Sequence, residues 1–207
     1  MKKNDFANKE YEARAMVSEE QYIKILSHYS KSRSKKEYIV NINTYFDYDD
    51  LYLTQHHIVL RTRSINDEKY ELTLKIKEEN SDLELNHILN KSQYKNFNKS
   101  ISIPESPILN KLLELNVDVN RLKMLVELKT ERLEIQYKDH LLVIDKNYFN
   151  NIVDYNVEVE SFDKNAAKKY LLKHVSPFGV EYKNGYIPKS RRAINSVINY
   201  WFTSHFE

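Results

Sequence analysis

The feature that most constrains this chain is a two-residue alternation of charged and apolar side chains that recurs near both ends. It runs through Glu10-Tyr11-Glu12-Ala13-Arg14 and again through Val157-Glu158-Val159-Glu160. A strand sends successive side chains to opposite faces, so Glu10, Glu12 and Arg14 share one face and Tyr11 and Ala13 the other. Taken alone, such a row also fits a half-buried strand with a solvated charged face. The rest of the chain decides between the two readings.

Further alternating segments lie between these ends. Ile58 to Ser64 places Arg61 and Arg63 on one face and Leu60 and Thr62 on the other. Asn66-Asp67 reads as a hairpin turn. The returning strand, Lys69 to Lys77, sets Leu72, Leu74 and Ile76 against Glu71, Thr73, Lys75 and Lys77. Other strands are expected over Glu37 to Tyr48, Leu83 to Leu89, Leu125 to Tyr137, Leu141 to Lys146 and Tyr155 to Phe162. Helices are expected from the Ser18/Gln21 capping box to residue 30, over Ser92 to Phe97, after Ser106-Pro107, and from Asp163 to Val175. A last amphipathic helix carries Ile194, Val197, Ile198, Trp201 and Phe202.

Composition excludes several chemistries. No Cys is present, which removes disulfides, thiol nucleophiles and thiolate metal sites and fits a reducing compartment. The only glycines are Gly179 and Gly185, so no glycine-rich loop can cradle phosphate and side chains must hold any that binds. The net charge is +2, from 32 basic and 30 acidic residues, so no overall field recruits nucleic acid or membrane. With no long apolar run and no signal-peptide pattern, the expectation is one cytoplasmic domain, 1–207, that is a monomer or homodimer.

Strands with one charged face can lie on a solvated sheet or line the lumen of a barrel. The lumen is favoured by sorting: Arg61, Arg63, Lys75 and Lys77 fall on one pair of strands, and the two Glu-x-Glu pairs on two others. Like charges opposite one another destabilise a sheet unless a ligand of opposite sign lies between them. A polyphosphate chelating Mg²⁺ or Mn²⁺ satisfies both groups, with Glu10, Glu12, Glu158 and Glu160 on the metal and the bases on phosphate oxygens.

In order along nearly the whole chain, Glu10-Tyr11-Glu12-Ala13-Arg14, Tyr45-Phe46-Asp47, Leu60-Arg61-Thr62-Arg63, Leu72-Thr73-Leu74-Lys75, Thr130-Glu131-Arg132, Leu142-Val143-Ile144-Asp145, Val157-Glu158-Val159-Glu160 and a late basic cluster around Lys189 and Arg191 resemble the motifs of the CYTH superfamily, the triphosphate tunnel metalloenzymes. The bacterial YjbK-like branch is the nearest resemblance. It implies an α+β fold, a closed eight-stranded antiparallel β-barrel with helices packed outside. It implies that Asp145 joins Glu10, Glu12, Glu158 and Glu160 on the metal. It further implies that Arg132 and Lys189 or Arg191 join Arg61, Arg63, Lys75 and Lys77 on the substrate. Catalytic work falls to Glu158 and to position 14, where Arg14 replaces the Lys of the signature. Arg is a poor proton acceptor but still holds phosphate.

Members of the superfamily hydrolyse inorganic or thiamine triphosphate, act as the RNA 5′ triphosphatase of capping, or cyclise ATP. The expectation for this chain is metal-dependent hydrolysis of a small-molecule triphosphate, with no nucleic-acid or membrane partner. A class IV type adenylyl cyclase and a non-catalytic polyphosphate or nucleotide sensor are the alternatives.

Overall fold

The structure, a computed structural model, describes residues 11–77, 82–183 and 185–205, with side chains at all of these except 82, 164 and 199–205. Strands β1 (Tyr11–Val17), β2 (Lys35–Asp47), β3 (Ile58–Ile65), β4 (Lys69–Lys77), β5 (Asp82–Leu89), β6 (Lys123–Gln136), β7 (Leu141–Phe149) and β8 (Ile152–Ser161) are interspersed with helices. These are α1 (Glu19–Ser30), α2 (Tyr52–Gln55), α3 (Lys91–Ser100), α4 (Pro107–Glu114), α5 (Lys164–Val175) and α6 (Lys189–His205). No helix among the described residues is long and apolar enough to cross a membrane.

The strands form a single antiparallel sheet in the order β1-β8-β7-β6-β2-β3-β4-β5. This corrects the closed barrel expected above. Closure requires the first and last strands of the sheet to bond to each other, whereas among the described residues β1 pairs with β8 and β5 with β4, and the two stand at opposite ends of the strand order. Ile88 of β5 stands on the face of Glu84, which a closed barrel would turn into its lumen, and it is 86% exposed.

Two compact units divide the chain, and each has its own core. The first comprises Met1–Ile39, Thr130–Asn147 and Val153–Ile187. Here Ala13, Ala15, Leu133, Ile135, Leu142, Ile144, Val157 and Val159 are the apolar alternates of β1, β6, β7 and β8, and they pack with Ile25 of α1 and Leu171 of α5. Both helices start where expected. The Ser18 hydroxyl accepts from the Gln21 backbone while the Gln21 side chain accepts from the Ser18 backbone, and Asp163 accepts from the backbone of Asn165 and Ala166.

The second unit comprises Val40–Lys129, Tyr148–Ile152 and Pro188–Glu207. Its β3–β4 hairpin turns through Asn66, Asp67 and Glu68, with Asn66 and Asp67 both left-handed at φ of 54° and 55° and the Glu68 backbone N–H donating to Ile65 O at 3.0 Å. Leu60, Leu72, Leu74 and Ile76 then face Leu53, Phe97, Ile108 and Leu112 of α2, α3 and α4. The sixth helix packs elsewhere. Ala193 and Ile194 join Tyr45, Val126, Leu128 and Phe149, and Tyr45 is the register partner of Arg61, so α6 covers part of the face that carries the bases. The side chains of Trp201 and Phe202, assigned to that helix above, lie outside the described set.

Candidate active site

The charged face of the first unit is a buried network rather than a solvated surface. Antiparallel pairing of β1 with β8 sets Glu12 opposite Glu160 and Arg14 opposite Glu158. Glu158 is 2% exposed and Asp145, on β7, is fully buried. Charges this deep are tolerated only when paired and hydrogen-bonded. Arg132, on β6, supplies the pairing: its Nε donates to Asp145 Oδ1 at 2.8 Å and its Nη2 to Asp145 Oδ2 at 3.0 Å, a bidentate fork. The same guanidinium reaches Glu134 at 3.2 Å and Glu158 Oε2 at 3.5 Å. Arg14 bridges from the other side, donating through Nε to Glu158 Oε1 and through Nη2 to Glu12 Oε1.

Buried amides extend the network. Asn156 Nδ2 donates to Asp145 at 3.3 Å and to Glu158 at 3.2 Å. Asn147 Nδ2 donates to Asn156 Oδ1 at 2.7 Å, and the Thr130 hydroxyl donates to Asn147 Oδ1 at 2.8 Å. Read from the sequence alone, none of these three has a role, although Thr130 stands in the matching Thr130-Glu131-Arg132. Their signal was positional, since each falls on the strand face already marked by Arg132, Asp145 or Glu158.

Burial by itself would lower the pKa of Arg14. Glu158 and Glu12 more than offset it, and the guanidinium is held above its ordinary value. Arg132 behaves in the same way: burial opposes its charge, and Asp145, Glu158 and Glu134 raise it well above the usual range. Both arginines are therefore permanent cations. Four carboxylates, Glu12, Glu134, Asp145 and Glu158, pair with these two guanidiniums, and Glu160 shares their strand face.

In the second unit Arg61, Arg63, Lys75 and Lys77 do share a face, but not as a field of one sign. The register places Glu71 opposite Arg63 and Glu84 opposite Lys75. Arg63 Nη1 lies 3.3 Å from Glu71 while its Nε donates to Asn43 at 2.8 Å, and Lys75 Nζ lies 2.7 Å from Glu84. Burial raises the carboxyl pKa of Glu84, but Lys75, Asn86 and Arg61 outweigh that and hold it below its ordinary value. Arg61 differs from its neighbours: its Nε is buried with no hydrogen-bond partner. Lys77 and Arg191 line one cavity of about 360 Å³ together with Thr54, His57 and Ser190. Lys189 opens α6, two residues before Arg191.

Asp47, from the matched Tyr45-Phe46-Asp47, serves the fold. Its carboxylate accepts from the backbone of Tyr48, Leu53 and Thr54 and from the Thr54 hydroxyl, tying β2 to α2. Glu10 lies outside the described residues.

The donor set suits a hard divalent cation, because every acidic group is a carboxylate and the acids outnumber the guanidiniums they pair with. Among the described residues, however, no group of three or more His, Asp or Glu is arranged to hold one. The guanidiniums account for this. They already occupy both oxygens of Asp145 and both of Glu158.

A family model described as the CYTH domain matches residues 8–185. The chain belongs to the CYTH family. Within it, this CYTH protein falls in the YjbK-like branch: it is 30% identical over 172 residues to YjbK of Bacillus subtilis (strain 168), a protein provisionally named as a triphosphatase, with 83% of this chain and 87% of that one covered. A crystal structure from Bacillus halodurans, provisionally named an adenylate cyclase, is 25% identical, with a TM-score of 0.74 over 88% of this CYTH chain and 97% of its own. A Hippeastrum structure, provisionally named an adenylyl cyclase and described as having a dominant triphosphatase activity, is 17% identical with a TM-score of 0.74 over 90% and 94% of the two chains. At that identity the likeness is one of fold.

Proposed function

We propose that this CYTH protein hydrolyses the phosphoanhydride bond of a triphosphate, inorganic or organic, with Mg²⁺ or Mn²⁺. The observation that carries the reading is the pairing of Glu12 with Glu160 across β1 and β8, next to the buried Glu158 and Asp145. Like charges directly opposite in a sheet repel. The carboxylates on this face outnumber the two guanidiniums that pair with them, and a metal–triphosphate chelate brings a further cation. Triphosphatase is also the provisional name of the B. subtilis relative.

Glu12, Asp145, Glu158 and Glu160 are the proposed metal-binding residues, with Glu10 beside them in sequence. A bound divalent ion would polarise the phosphoryl oxygens and supply an activated water. Of the chain's own groups, Arg132 is held rigidly by its fork to Asp145, which suits it to positioning and to offsetting charge on the leaving phosphate. Arg14 binds phosphate rather than taking a proton, because its charge is permanent. Arg61, Arg63, Lys75, Lys77, Arg191 and Lys189 are proposed phosphate-binding residues. For Arg61 the support is its buried, unpartnered Nε, a donor without an acceptor. Phosphoryl transfer rests on positioning and electrostatics, so no nucleophilic side chain is required.

The test is a panel of inorganic triphosphate, thiamine triphosphate and ATP, assayed with each metal for phosphate, diphosphate and cyclic nucleotide. The expected result is phosphate release that needs the metal and is mostly lost in Glu158→Gln. Cyclic AMP from ATP would instead establish the cyclase reading. Full phosphate release in Glu158→Gln would overturn the assignment of the site.

A further inference from the structure

Every acidic oxygen that the metal reading needs from Asp145 and Glu158 already has a guanidinium on it, but the two arginines hold their partners differently. Arg132 is locked: it takes both oxygens of Asp145 at 2.8 and 3.0 Å and adds Glu134 at 3.2 Å and Glu158 at 3.5 Å. Arg14 is a bridge. It places Nε on Glu158 Oε1 and Nη2 on Glu12 Oε1, using one oxygen from each of two carboxylates. That is the set an ion coordinated by Glu12 and Glu158 would use. The bridge also ends in the more open part of the network, since the side chain of Glu12 is 41% exposed against 3% for Glu158.

We infer that Arg14 is a built-in counter-cation, occupying the Glu12 and Glu158 oxygens that a divalent ion takes up, so that guanidinium and metal compete for one seat. The inference rests on the metal reading given above. A guanidinium has only donors and cannot ligate a metal, so the two occupants exclude each other. Arg132 holds neither Glu12 nor Glu158 Oε1, so an ion seated between those two oxygens does not displace it. The released Arg14 finds its natural acceptor in a phosphate oxygen, which also wants a bidentate cation. The exchange therefore costs least when metal and phosphate arrive together.

The competition sets the affinity for metal alone. Two charge-assisted hydrogen bonds must be given up for the ion to enter, which weakens binding on the order of 10- to 100-fold. Lys at this position would offer one point charge on a shorter reach, without the separated donors by which Arg14 spans Glu12 and Glu158.

The experiment is a titration of the purified protein with Mn²⁺ alone, following free Mn²⁺ by electron paramagnetic resonance, for the parent chain, Arg14→Gln, Arg14→Lys and Glu158→Gln. Thermal melts without metal establish that each variant is folded. We expect Arg14→Gln to bind Mn²⁺ roughly 10- to 100-fold more tightly than the parent, Arg14→Lys to fall between them, and Glu158→Gln to lose the site. Because Arg14→Lys keeps the charge, a gain there reports the lost bridge rather than a change in net charge, and it carries the test if Arg14→Gln does not fold. Equal Mn²⁺ affinity in the parent and both Arg14 variants, with loss in Glu158→Gln, would overturn the competition and leave the metal site standing. No Mn²⁺ binding in any variant would overturn the metal site, and the competition with it.

Discussion

The two units solve the same local problem, a strand face crowded with charge, in opposite ways. In the first, Arg132, Asp145 and Glu158 are withdrawn from water and tied into a network with Asn147, Asn156 and Thr130. In the second, Arg63 meets Glu71 and Lys75 meets Glu84 in simple cross-strand pairs, and the side chains of Lys75 and Glu84 are 45% and 40% exposed. The difference teaches that alternation in sequence assigns a face but not its depth. A half-exposed pair gains little from its partner because water already solvates it. In a buried network each charge is conditional on the others, and that interdependence suits a site whose charges must hold fixed positions.

The comparison predicts a large asymmetry in stability. Arg132→Met should cost about 3–5 kcal/mol, because Asp145 is left as a buried charge without its fork. Urea denaturation would measure it, and a loss below about 1 kcal/mol, the range of exposed pairs, would place the first network in the same class as the second.

A second, smaller asymmetry concerns pH. In the first unit the Tyr29 hydroxyl lies 2.8 Å from His174 Nδ1, and His174 Nε2 lies 2.7 Å from His140 Nε2. Burial, helped by His140 and Lys173, lowers the His174 pKa from 6.5 to about 4, and burial raises the Tyr29 hydroxyl to about 12. A histidine with a depressed folded pKa favours the folded state while neutral. Its contribution is complete above 6.5 and is lost as the pH falls towards about 4. Melting temperature followed across that window should decline in the parent chain and decline less in His174→Gln. An identical decline in both would assign the acid sensitivity elsewhere.

The smallest effect belongs to the exposed pairs. Lys75→Met should cost about 0.2–1 kcal/mol, and added salt should shrink it further. A salt-insensitive loss comparable to that of Arg132→Met would show that the Lys75–Glu84 pair belongs to a tighter assembly.

Local chemistry explains what could be read without coordinates. The Ser18/Gln21 box, the Ser106-Pro107 start and the Asn66-Asp67 turn act over a few residues, and all three appear as read. The shared faces of Arg61 with Arg63 and of Glu12 with Arg14 follow from the two-residue period. Pairing between strands was not legible. The register that brings Glu71 and Glu84 against the bases dissolves the sorting by sign from which a closed lumen was expected, and nothing in the sequence of β1 or β5 marks it as an end strand of the sheet. The buried role of Asn147 and Asn156 was equally hidden, because an amide on a strand looks the same in sequence whether it meets water or Asp145. The Asn90/Gln93 capping box of α3 escaped notice, though it carries the same kind of signal as Ser18/Gln21.

The central claim is that the carboxylates around Glu158 hold a divalent ion together with a triphosphate. The most direct measurement is the anomalous difference map of crystals grown with Mn²⁺ and a non-hydrolysable triphosphate. The account predicts a manganese peak about 2.0–2.2 Å from a Glu158 carboxylate oxygen, at distances usual for hard cations and oxygen ligands, with Arg14 moved off Glu12. A map with no peak beside Glu158, and manganese only on exposed acids such as Asp49 and Asp50, would contradict it.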